Sequence, residues 1–210
     1  MAEPYLTVGE TVEREIEVRR SRFICAVARV GAEEEARAFA AGRRRAHPGA
    51  AHTCTAFAIG GDRSPARGDD DGEPGGTAGA PMLDTLLRRG FSDTVAVVTR
   101  YFGGVLLGAG GLVRAYGRAV GQTLDVVAPV RMVPAVVMAV RIGHAHAGRL
   151  ESDLRASPYE VRAVGYGEDV VIETAVEGAG LAGFEEWVAT ASAGRARVSR
   201  GRVVFTPSDG

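Results

Sequence analysis

Along residues 11–18, Val12, Ile16 and Val18 alternate with charged neighbours, the pattern of a half-buried strand. After Ser21-Arg22-Phe23, the run Ile24–Val30 predicts its partner strand. Glu33-Glu34-Glu35 opens a helix that ends on Arg43-Arg44-Arg45, the charge order a helix dipole favours, and His47-Pro48 stops it. His52–Ile59 reads as a strand closed by Gly60-Gly61. Residues 62–81 are so dense in Gly, Pro and Asp that they predict an irregular loop, far longer than the usual connection of about 4–6 residues. A short amphipathic helix follows over 81–89, with Met82, Leu83, Leu86 and Leu87 on one side and Gly90 at its end. Thr94–Phe102 is the most strand-like run. Residues 111–127 then place Leu112, Ala115, Ala119, Leu124 and Val127 near helical spacing.

Pro129 and Pro134 predict a break and a domain boundary, giving domains 1–132 and 133–210. Beyond it the pattern gives strand 136–142, helix 144–156, strand 159–164, a turn at 165–167, strand 169–176, helix 181–192 and strand 197–205, with a frayed tail over 206–210. That is βαββαβ, the order of a ferredoxin-like sandwich, and the fold class is α+β.

Composition narrows the chemistry. The 210 residues carry a formal net charge of -1, so any anion-binding surface is local rather than global. All 25 basic residues are arginine, which excludes a lysine Schiff base and the phosphate-gripping lysine of nucleotide loops. Two cysteines are too few for a disulfide framework, the N-terminal stretch lacks the apolar segment of a signal peptide, and no run approaches the roughly 20 apolar residues of a membrane span. The expected setting is the reducing cytoplasm, without a membrane partner.

Three stretches carry candidate chemistry. Gly103, Gly104, Gly108, Gly110 and Gly111 lie between a buried strand and a helix, where free amides attract anions. Arg100 and Arg114 flank them, so two guanidinium forks and several amides are expected to grip one phosphate, with Tyr101 beside them. The same glycines equally serve turn geometry and close packing. Asp69, Asp70, Asp71 and Glu73 gather four carboxylates, yet the spacing of a calcium loop is missing. Asp70 or Asp71 is expected to cap the following helix or to pair with Arg100 or Arg114. His52 and Cys54 alternate on one strand and so share a face, and with Cys25 they supply part of a zinc site or a thiol pair without a fourth ligand. In the second half, Arg195, Arg197, Arg200 and Arg202 read as a solvated strand edge.

The motif Asp70-Asp71-Gly72-Glu73-Pro74-x-Gly76-Thr77-Ala78-Gly79-x-Pro81, followed by Arg100-Tyr101-Phe102-Gly103-Gly104-x-x-Leu107-Gly108-x-Gly110-Gly111-Leu112-Val113-Arg114-Ala115-Tyr116, resembles the YigZ/Impact family. Ser21-Arg22-Phe23-Ile24, His47-Pro48 and His52-x-Cys54 agree with it. The resemblance implies an Impact-type N-terminal domain similar to the second domain of a small-subunit ribosomal protein and to domain IV of elongation factor G, followed by a ferredoxin-like domain. It also implies nucleic-acid binding for bacterial members and translational control for the eukaryotic ones, which oppose activation of a stress kinase. Residues 1–20 are too short for the extra partner-binding domain of the latter, and Ala80 stands where relatives often have Lys.

The expected function is therefore a non-enzymatic cytoplasmic protein that binds RNA or the ribosome without a cofactor or metal, through an anion site at Gly103–Gly111. The alternative is an enzyme for a small phosphorylated or acidic substrate, with Asp70, Asp71 or Glu73 as acid or base and Arg100 and Arg114 as binders.

Overall fold

The computed structural model describes residues 3–208. The chain forms two compact units that divide after Arg131, both of mixed α+β type. In the first unit, β1 (Tyr5–Val8), β2 (Val12–Val18) and β3 (Ser21–Arg29) precede α1 (Glu33–Ala46), β4 (His52–Ala58), β5 (Ala66–Asp69), α2 (Gly79–Arg88), β6 (Thr94–Tyr101) and α3 (Ala109–Leu124). Strands β2-β3-β6-β4-β5, in that order, make one antiparallel sheet.

Alternation along the central strands divides this sheet into two faces. Phe23, Cys25, Cys54, Ala56, Ala96 and Val98 pack with Met82 and Leu86 of α2 and with Leu112, Tyr116 and Val120 of α3. The intervening Ala28, Phe57, Val95 and Val97 form a smaller core with Ala36 and Phe39 of α1. Because β6 is buried on both faces, an arginine at its end is held inside the protein rather than offered to solvent.

In the second unit, β7 (Pro129–Ile142), α4 (His144–Arg155), β8 (Glu160–Tyr166), β9 (Val170–Glu177), α5 (Leu181–Ala191) and β10 (Arg197–Pro207) follow one another. The four strands pair antiparallel in the order β10-β7-β9-β8. Met138, Val140 and Ile172 close a core with Leu150 and Leu154 of α4 and Phe184 and Val188 of α5.

Four expectations are corrected. The loop 62–81 is not wholly irregular: β5 pairs with β4 over Thr55–Ala58. The prolines do not break the chain, since β7 starts at Pro129 and runs through Pro134, whose fixed φ lies within extended geometry. Strand β8 extends to Tyr166, past the expected turn, and β10 extends to Pro207. The rest of the expected tail, 209–210, lies outside the described residues. Strand β1, which the pattern did not reveal, is tied by Leu6 N donating to Gly90 O and by Ser92 N donating to Leu6 O, each at 2.9 Å. Among the described residues no helix is long and apolar enough to cross a membrane.

Candidate functional site

Two glycines bring the acidic loop onto the sheet. A Cβ on Gly68 would lie 2.5 Å from the Gly79 carbonyl carbon, and one on Gly79 would lie 2.4 Å from Asp69 N, so β5 crosses directly over the start of α2. That approach delivers the Asp70 carboxylate to the helix start. Its Oδ1 accepts from Ala78 N at 3.0 Å and Gly79 N at 2.8 Å, and its Oδ2 accepts from Gly76 N at 2.7 Å. Thr77 closes the same turn by donating its hydroxyl to Pro74 O at 2.6 Å. The capping role expected of Asp70 or Asp71 thus falls to Asp70, whereas Asp71 accepts from Thr53 N and pairs with Arg44 at 2.7 Å.

Burial alone would raise the Asp70 carboxyl, but the Gly76, Gly79 and Ala78 amides outweigh it and hold it below the usual aspartate range. A carboxyl lowered on folding stabilises the protein above its unfolded value of about 3.9, and that contribution disappears as pH falls through the lower folded value. Asp70→Asn is expected to lose about 1–2 kcal/mol at neutral pH, as for loss of a helix cap. Its deficit should shrink in acid, which urea melts at pH 7 and pH 3 would measure.

Glu73, one turn further on, points inward. Its side chain is 3% exposed, its Oε1 accepts from Arg100 Nη1 at 2.6 Å and from the Tyr116 hydroxyl at 2.7 Å, and Arg100 is 6% exposed. Phe23, Arg100 and His52 are directly opposite one another across β3, β6 and β4. The guanidinium carbon of Arg100 stands 5.5 Å from the Phe23 ring centre and 5.7 Å from that of Phe102. Burial, followed by Cys54 and Glu73, drives the Tyr116 phenol far upward, so it stays a hydrogen-bond donor.

His52 Nδ1 lies 2.8 Å from Asp71 O. A carbonyl only accepts, so Nδ1 carries the proton and Nε2 is left facing Glu73 Oε2 at 3.9 Å. Both residues border a cleft of about 500 Å³, whose wall is made by Pro74, Phe102, Leu106 and Leu107. The acidic and glycine loops therefore do border one cleft, through Gly72, Glu73 and Pro74 on one side and Leu106, Leu107 and Gly108 on the other, while Glu73 ties the acidic loop to Arg100 at the end of β6.

Arg114 is elsewhere. It borders a separate cleft of about 260 Å³ with Arg19, Arg118, Gly111 and Leu107. The single phosphate gripped by both Arg100 and Arg114 is accordingly not what the geometry provides: Arg100 is occupied by Glu73 and faces another cleft. Tyr101 points to the opposite side of the sheet, where its hydroxyl meets His47 Nδ1 at 3.0 Å.

The glycines also separate by role. Gly103 packs backbone against backbone on the β2–β3 turn, and Gly104 and Gly108 hold φ of +80° and +72°. Gly110 and Gly111 belong to the first turn of α3, where the ladder starts with Leu112 N donating to Gly108 O, leaving the preceding amides of the helix outside it.

Cys54 is buried, and burial pushes its thiol up to about 12, with nearby Glu73, Asp71 and Asp70 adding to the rise. Its Sγ lies 3.1 Å from Asp70 O and 3.4 Å from the Tyr116 hydroxyl. A thiolate is therefore scarce at neutral pH. Cys25 is likewise pushed up to about 12 by burial. Among the described residues no group of three or more His, Cys, Asp or Glu side chains is placed to hold a metal.

Sequence reasoning passed over Tyr116, Arg19 and Arg118. Tyr116 closes the second motif one helical turn after Leu112, and the Arg114–Arg118 spacing of four was a readable sign of a shared helix face. Arg19 was not readable, because its place depends on a two-residue turn in which Arg19 and Arg20 hold φ of +49° and +66°.

Sequence comparison matches residues 19–124 to the Impact N-terminal domain and residues 140–195 to a domain of unknown function, DUF1949. The IMPACT family member YvyE of Bacillus subtilis is 40% identical over 205 residues, covering 98% of this chain and 94% of that protein. The IMPACT family member YigZ of Escherichia coli is 38% identical over 180 residues, 85% of this chain and 88% of its own. A crystal structure described as that of an hypothetical protein superposes with a TM-score of 0.80 at 34% identity, covering 96% of this chain and 99% of that one.

Proposed function

The chain belongs to the Impact family, and from that premise we propose that it is a non-enzymatic cytoplasmic protein that binds RNA or the ribosome and modulates translation. The observation that carries this reading is the arginine cleft. Arg19 from the β2–β3 turn and Arg114 and Arg118 from α3 border one hollow, all three are exposed, and none is paired with a carboxylate among the described residues. Guanidiniums free of carboxylates beside the glycine-rich start of α3, with Arg19 Nη1 donating to Leu106 O at 3.4 Å, suit phosphate oxygens, which they would meet without first breaking an ion pair. The anion site is thus centred on Arg114 with Gly110 and Gly111, with Arg19 and Arg118 added and Arg100 removed.

The finer fold reading goes with it. The antiparallel order β10-β7-β9-β8 with two helices supports a ferredoxin-like second unit. The first unit is read as the Impact-type relative of the ribosomal-protein domain.

Phosphate contact releases counterions, so binding to a structured RNA should fall steeply with salt. Replacing Arg19, Arg114 and Arg118 together by alanine is expected to reduce the slope of log K against log salt by about 2–3, at roughly 0.7–0.9 per phosphate contact. Anisotropy titrations against an RNA stem-loop, and sedimentation with ribosomes at low salt, test this. A wild-type chain that stays out of every ribosomal fraction and leaves the RNA free at low salt would end the reading.

A further inference from the structure

The cleft over Glu73 and His52 is separate from the arginine cleft and unused by the proposed RNA contact. Its polar end presents two acceptors. In the neutral imidazole His52 Nε2 is an acceptor because Nδ1 donates to Asp71 O, and Glu73 Oε2 stands beside it while Oε1 is taken by Arg100 and Tyr116. At 3.9 Å they are too far apart to bond each other. A group carrying two or more N–H donors spans that gap, since donor contacts of about 2.8 Å to each atom close the triangle.

Apart from Arg100, the remaining side chains of the wall are apolar and costly to leave wet. Leu106 is 81% exposed and Phe102 is 52% exposed, and both border this cleft with Leu107 and Pro74. Large apolar side chains massed at the mouth of a hollow with a few convergent polar atoms are the ordinary makings of a small-ligand site.

We infer that this cleft binds a small molecule with a primary ammonium group and an aliphatic chain, the ammonium bridging His52 Nε2 and Glu73 Oε2 and the chain lying on Phe102, Leu106 and Leu107. Arg100, which also lines the cleft, balances the Glu73 charge, so the site recognises an ammonium by donor geometry at Glu73 and His52 rather than by net charge. A cleft of about 500 Å³ holds an amine of amino-acid size.

Three probes of one shape separate the outcomes: isoamylamine carries the ammonium alone, isovalerate the carboxylate alone, and leucine both. Calorimetry on the full chain is expected to find saturable binding of isoamylamine at millimolar concentration or below, and none of isovalerate. Binding should weaken at least tenfold in His52→Phe and severalfold in Leu106→Ser. Leu106 is exposed enough for that variant to fold, and amide shifts at Glu73 and Pro74's neighbours should follow the titration. Tighter binding of isovalerate than of the amine would mean that the first amides of α3 select an anion, and it overturns the proposal. So would amine binding indifferent to both substitutions, or no saturation by the amine. Loss of RNA binding leaves all these outcomes unchanged, so the two readings fail separately.

Discussion

Glu73→Leu is expected to cost about 3–5 kcal/mol of stability in the first unit, the toll of stranding one member of a buried ion pair. The substitution leaves the Arg100 guanidinium between the Phe23 and Phe102 rings with its closest acceptor gone, and its Nε already has no hydrogen-bond partner. It also strands the Tyr116 hydroxyl, so the shared acceptor of two hydrogen bonds is lost at once. Removing both charges is a different matter: Glu73→Leu with Arg100→Met should recover to within about 1–2 kcal/mol of the wild type, since a well-packed apolar pair can replace a buried salt bridge. Tyr116→Phe alone should cost about 1–2 kcal/mol.

The readout must come from the first unit. The single tryptophan, Trp187, belongs to the second and reports its unfolding instead. Amide exchange of the β3 and β6 residues in urea follows the right unit. A Glu73→Leu chain as stable there as the wild type, or a double variant worse than the sum of the singles, would mean that the pair is not what ties the acidic loop to β6.

This pair also marks the limit of what the sequence made legible. Period-two alternation was enough to put His52 and Cys54 on one face of β4, and the buried run Val95–Val98 announced a central strand. The same rule places Arg100 on the face of Ala96 and Val98, under α2 and α3. What alternation cannot supply is the partner. Glu73 sits in a run of acids and glycines whose composition reads as solvated, and its burial depends on Gly68 and Gly79 touching. That contact links β5, only four residues long, to the start of a helix further along the chain.

Charge counting failed at the same point: Arg100 and Arg114 look equivalent in the motif, yet one lies on a strand buried on both faces and the other on the wet side of α3. The second unit was more readable because its strands and helices follow each other with short connections and local patterning. The prolines of β7 misled, being read as breakers where they are merely extended, and β8 and β10 ran on past the expected turn and into the expected tail.

Gly103→Ala is expected to be nearly as damaging, about 3 kcal/mol and at the upper end of overpacking. A Cβ there would stand 2.0 Å from both the carbonyl carbon and the oxygen of Arg20 and 2.5 Å from Ser21 N. Those are backbone atoms of a turn already committed to positive φ at Arg19 and Arg20, and Gly103 N donates to Ser21 Oγ at 3.1 Å from within the same contact, so neither chain can step aside cheaply. Gly104→Ala makes the contrast. Its Cβ would meet nothing within 4 Å, and the only penalty is φ of +80°, about 1–2 kcal/mol.

The two neighbours therefore divide the roles assigned to the loop's glycines. Gly103→Ala should lower the urea midpoint, speed exchange at the β2–β3 turn and, by displacing Arg19, weaken RNA binding along with stability. Gly104→Ala should leave RNA binding within about twofold, because the arginines and the α3 amides keep their places. If Gly104→Ala instead abolished RNA binding in a chain of nearly normal stability, the Gly104 backbone itself would be approaching phosphate, and the anion site would have to be moved from the arginine cleft to the loop.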